Sequence, residues 1–139
     1  MKAEIKWVEK RTLLGISGSG FTLPFGTASG EDGIRAGPTA MELVLIGTGG
    51  CSAWDVVQIL EKGRENIADC VVEFDAERAE DDPQVFTRIH MHYIVSGRGP
   101  SEDKVARAIK LSAEKYCSAS AMLSSTANIS HDFEVIESA

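Results

Sequence analysis

Cysteine is scarce, with three residues at 51, 70 and 117 and no CxxC pair among them. An odd number at wide spacing excludes a disulfide framework and a zinc ribbon. Positive charge is the minority sign: 14 Lys and Arg stand against 21 Asp and Glu, a net −7. No basic stripe is present to neutralise phosphates, so neither nucleic-acid binding nor docking on an anionic membrane is expected. The opening, MKAEIKWVEK, has no apolar signal core and no transit-peptide bias. The expected compartment is therefore the cytoplasm, where thiols stay reduced. Internal repeats and long linkers are also missing, and 139 residues fit one domain, 1–139. That length buries a core without staples.

What is present alternates first and then turns apolar. AEIKWVE (3–9) has the period of a half-buried strand, and TLLGISG and GFTLPFG add two short strands around a glycine turn. Residues 26–38 are Gly-rich and polar, a loop. Further on, DCVVEFDAERA reads as a strand, EDDP (80–83) as a turn and QVFTRIHMHYIVSG as an alternating strand with one covered face. PSEDKVARAIKLSAEKY (100–116) is amphipathic, with Ser101 placed to cap it and Glu102 and Asp103 in its positive first turn. Val105, Ala108, Ile109, Ser112 and Tyr116 share one face. CSASAMLSSTA (117–127) predicts a short helix and NISHDFEVIE (128–137) a closing strand.

MELVLIGTGGCSAWDVVQIL (41–60) admits three readings. As a membrane span it would put Glu42 and Asp55 into hydrocarbon, at several kcal/mol. As a nucleotide loop, GTGG lacks the third glycine of the phosphate fingerprint, and the later strands alternate where parallel ones would run apolar. As a helix it has a start and a stop: TAME (39–42) fits a capping box, and Gly63 follows the apolar run. A helix over about 40–62 would measure roughly 35 Å. Apolar nearly all round, it needs burial on most faces, more than one small chain supplies. A second copy of the chain is the simplest cover.

Cys51 then sits mid-helix. A free cysteine is usually inert core, and pairing with Cys117, at the start of a later helix, is what raises its interest. Cys70 opens a strand and reads as core or rim. His90 and His92 share a strand face that could hold a metal, but no third ligand is evident, so they read as exposed sheet positions.

GPTAMELVLIGTGGCSAWDVVQIL, PQVFTRIHMHYIVSGR and AEKYCSASAML together resemble the OsmC/Ohr family, closest to its YhfA-like subgroup. The resemblance covers nearly the whole chain and is weakest over 10–35. It implies an α+β fold, an antiparallel sheet wrapped on a long buried central helix plus a second helix, in an intertwined homodimer. It also implies a cysteine-based organic hydroperoxide reductase, with Cys51 peroxidatic, Cys117 resolving and a dithiol such as a lipoyl group as reductant. No cofactor and no metal are implied. The family's glutamate ten residues before the first cysteine falls on Met41 here, with Glu42 one residue out of register and readable as a cap. The family's N-terminal arginine falls to Arg35 or Arg11. The alternative on the same fold is a non-catalytic redox-sensing or small-molecule-binding stress protein.

Overall fold

The computed structural model describes residues 1–26 and 36–138. The chain divides into two compact units, Met1–Ile46 and Gly47–Ala139, with the boundary inside one helix.

The first unit is a three-stranded antiparallel meander: β1 (Ala3–Glu9), β2 (Thr12–Ser17) and β3 (Thr22–Gly26), in that order. The β1–β2 turn is tight, so Lys10 takes a positive φ of 47°. The next turn uses Gly20 at φ 96°, a conformation glycine adopts without penalty. Gly18 is required for a different reason, since a Cβ there would lie 2.8 Å from the Lys2 carbonyl oxygen. Ile5 and Trp7 on β1 are 60% and 69% exposed, an apolar face that one chain leaves uncovered.

Helix α1 (Ala40–Lys62) begins at the expected cap. The Glu42 N–H donates to the Thr39 hydroxyl at 3.2 Å, and that hydroxyl donates to Glu42 Oε1. At the other end Gly63 closes on the Ile59 carbonyl, but the left-handed residue is Arg64, at φ 60°. By length and mean hydropathy (23 residues, 1.5) α1 could cross a membrane, as many core helices could. Its second half is engaged in a protein core: Thr48, Gly49, Ser52, Val56 and Leu60 form a buried stripe at helical spacing. Gly49 leaves room for the Phe74 ring, which a Cβ would meet at 2.8 Å.

The second unit adds β4 (Ile67–Arg78), β5 (Phe86–Gly97), α2 (Glu102–Leu111), α3 (Ser118–Leu123) and β6 (Asn128–Glu137). Its sheet has β5 in the centre, with β4 antiparallel and β6 parallel to it. The expected α+β architecture holds, but the sheet is mixed: the helices between β5 and β6 make the crossover that a parallel pair requires. Ile89, Met91, Tyr93 and Val95 on one face of β5 are buried, as are Val105, Ala108 and Ile109 of α2. Ser101 caps α2 through the Lys104 N–H.

The helix expected over 100–116 ends at Leu111 and continues as one π-helical turn, Ser112–Tyr116. The Cys117 N–H bonds back to the Ser112 carbonyl at 2.8 Å, five residues away. That extra residue shifts the helical phase. Ser112 stays buried, whereas Tyr116, expected on the same face, is 49% exposed.

Candidate active site

Cys51 and Asp55 are four residues apart on α1, so their side chains share a face. Cys117 comes from the N-terminal end of α3, held in place by the π-helical turn. The two sulfur atoms and an Asp55 carboxylate oxygen all lie within 4.8 Å of one another. The two expected cysteines are thus brought together from 66 residues apart in sequence, and an acid joins them. Cys51 is half-buried and Cys117 is 3% exposed.

The Cys117 sulfur accepts from the Ser120 hydroxyl at 3.1 Å and the Ser120 N–H at 3.4 Å. It also lies 4.0 Å from the Thr48 carbonyl. Burial pushes the Cys117 thiol above its ordinary pKa; the Ser120 donors oppose this, and the hydrogen bond and charge of Cys51 add to the rise.

Behind them runs a chain of hydroxyls. Ser112 donates to Asp55 Oδ2 at 3.0 Å, Ser112 and Ser52 are 3.0 Å apart, and Ser52 and the Tyr93 hydroxyl 2.6 Å apart. A serine hydroxyl carries one proton. Ser112 spends its proton on Asp55, so it accepts from Ser52, which in turn accepts from Tyr93. Burial, first of all, pushes Tyr93 up to about 12, so the phenol stays a donor. Ser52, Tyr93 and Ser112 are each 1% exposed or less, and no buried side-chain polar atom among the described residues lacks a partner.

Reading the sequence did not find Asp55, Ser52, Ser112, Ser120 or Tyr93 as site residues. The Cys51–Asp55 spacing of four on a helix was a usable signal for one of them. Glu42 is placed as a helix cap. Arg11 lies exposed in the β1–β2 turn, and Arg35 lies outside the described residues. Cys70, half-buried on β4, has its thiol raised by burial first and the neighbouring Asp69 second. It stays a protonated, packed thiol at neutral pH.

His90 and His92 are half-buried, not simply exposed, and they have partners from β6. A ladder runs from Ser130 to His90 (2.7 Å), Asp132 (2.9 Å), His92 (2.7 Å) and Glu134 (3.3 Å). The parallel register, which sets His90 beside Ser130 and His92 beside Asp132, builds it. Asp132 first and Glu134 second raise His92 above the ordinary imidazole value, while His92 first and His90 second lower Asp132. A separate cleft of about 410 Å³ is lined by Met91, Tyr93, Ser120, Ala121 and His131, with neither Cys51 nor Cys117 in its wall.

The sequence model of the family described as OsmC-like protein matches residues 30–132. Protein YhfA of Escherichia coli (strain K12) is 49% identical over 136 residues, covering 98% of each chain. The fold is similar to that of an OsmC-like protein from Mycoplasma pneumoniae, at a TM-score of 0.82 and 15% identity over 97% of this chain and 96% of that one. It is also similar to the organic hydroperoxide resistance protein OhrB of Bacillus subtilis, at 0.65 and 15% over 96% and 98%.

Proposed function

Since the chain belongs to the OsmC-like family, we propose that it is a thiol-dependent organic hydroperoxide reductase. The observation that carries this reading is the approach of two thiols, drawn from separate elements, to within 4.8 Å of each other. Cys51 is the more accessible sulfur, so it attacks. Its thiolate takes the terminal oxygen of ROOH, the O–O bond breaks, and the leaving alkoxide picks up a proton to become an alcohol. Cys51 is left as a sulfenic acid. Cys117 then attacks that sulfur and expels water, forming a disulfide. A dithiol reduces it by exchange and is itself oxidised.

A nearby cation favours a thiolate over a thiol. In this reading Arg35 or Arg11 supplies it. The working unit is a homodimer: Gly47, Gly50 and Trp54 recur along one side of α1, all exposed, with Trp54 at 63%. OhrB, whose name states organic hydroperoxide resistance, has the same fold, which supports the substrate class.

The test is turnover of cumene hydroperoxide with excess dithiol. Cys51→Ser should abolish it, because a hydroxyl cannot replace the thiolate. Cys117→Ser should consume one equivalent and stall as a sulfenic acid, drifting to sulfinic and sulfonic forms. Cys70→Ser should cycle normally. A wild-type protein that oxidises once and does not cycle would instead be a sensor. Turnover that survives Cys51→Ser would leave the family assignment describing the fold alone.

A further inference from the structure

Beyond peroxide chemistry, we propose that Cys51, Asp55 and Cys117 form a binding site for a borderline-soft divalent cation, with zinc as the fitting ion. Their three donor atoms lie within 4.8 Å of one another. Zinc bonds of about 2.3 Å to sulfur and 2.0–2.2 Å to oxygen set tetrahedral ligand atoms roughly 3.6–3.8 Å apart. The site therefore has to contract by about an ångström, which side-chain rotation supplies. Two thiolates and a carboxylate are also the right chemistry, since soft sulfur ligands select zinc over the hard cations.

The surroundings already orient the donors. Ser112 holds Asp55 Oδ2 at 3.0 Å, which fixes the carboxylate and leaves its other oxygen free to ligate. Ser120 donates twice to the Cys117 sulfur, which fixes its orientation. Such outer partners set ligand orientation in metal sites. Among the described residues, none that hydrogen-bonds these three side chains is a cation, so a bound metal would balance their charge. Cys51 and Asp55 are partly exposed and leave a way in. Three protein ligands leave a fourth position for water or a ligand. A cation there and a Cys51–Cys117 disulfide exclude each other, because each needs both sulfur atoms. Zinc would thus hold the reduced state and be released on oxidation.

The test uses the reduced full-length protein with zinc alone, titrated against a chromogenic zinc indicator, and with cobalt as a spectroscopic probe. The expected result is one zinc per chain and a thiolate-to-cobalt charge-transfer band. Cys51→Ser and Cys117→Ser should each abolish the band, and Cys70→Ser should keep it. Asp55→Asn, which retains both thiols, should weaken zinc by at least about tenfold, and Ser112→Ala by about 10- to 100-fold. Circular dichroism of each variant checks that it is folded. Absence of stoichiometric zinc in the reduced protein overturns the site. So does binding that survives both cysteine variants but is lost in His90→Ala or His92→Ala, which would move it to the β5–β6 ladder. Undiminished zinc affinity in Asp55→Asn overturns the three-residue set. None of these readouts involves peroxide, so failure here is distinct from failure of the reductase reading.

Discussion

At the scale of single residues, the site is a line of protons with a direction. Tyr93 donates to Ser52, Ser52 to Ser112 and Ser112 to Asp55. The direction has an energetic consequence. Ser52→Ala strands the buried Tyr93 hydroxyl, whose other neighbour is only the Met91 sulfur at 4.0 Å. An unsatisfied buried donor costs about 1–3 kcal/mol. Tyr93→Phe removes the donor and leaves Ser52 still bonded to Ser112, which costs about 0.5–1.5 kcal/mol. Urea unfolding of the two variants should rank Ser52→Ala as the more destabilised, and the opposite ranking would reverse the chain. None of this was legible in the sequence. Ser52 and Tyr93 stand 41 residues apart and Ser52 and Ser112 stand 60 apart, and no local period links them. Only the alternation of β5, which puts Tyr93 on the face opposite His90 and His92, pointed toward it. The two cysteines were legible chiefly through the family resemblance, since position on a helix alone also fits inert core thiols.

At the scale of elements, α1 was legible from end to end. Thr39, Glu42 and Gly63 carry local signals that depend on no distant contact, and the helix runs between them as Ala40–Lys62. The π-helical turn was not, because one extra residue in a helix leaves no mark in composition. The parallel pairing of β6 was not either, since strand direction is decided by the crossover and not by the strand's own residues. That pairing builds the histidine ladder, and the ladder predicts a pH dependence. His92 is raised above 6.5, so its contribution is complete below that value and is lost as pH rises through the higher folded-state value. Asp132 is lowered, so its contribution is present above 3.8 and is lost as pH falls through the lower folded-state value. Stabilisation by the pair is therefore centred in mildly acidic solution. Thermal melts should show His92→Gln losing stability against the wild type near pH 6 and converging with it in alkaline buffer. The gap should be small and shrink with added salt, since the partners are solvent-exposed. A gap independent of pH would mean that His92 acts by packing alone.

At the scale of the whole molecule, the uncovered apolar surface sets the expectation of a partner. Ile5, Trp7, Phe21 and Trp54 are each at least 60% exposed in one chain. Such surface on a lone soluble chain marks an interaction site. The dimer reading predicts that Trp54→Glu drives the protein to monomer in sedimentation velocity, because a carboxylate cannot be buried unpaired in an apolar interface. A wild-type protein that sediments as a folded monomer at low micromolar concentration contradicts it. The central claim concerns the thiols, and its most direct test is mass spectrometry of the reduced protein after one equivalent of cumene hydroperoxide, with peptide mapping. The account predicts the loss of two hydrogens and one disulfide, joining the peptides of Cys51 and Cys117, with Cys70 still free. Oxygen adducts on Cys70, or an unchanged Cys51 after the peroxide is consumed, would contradict it.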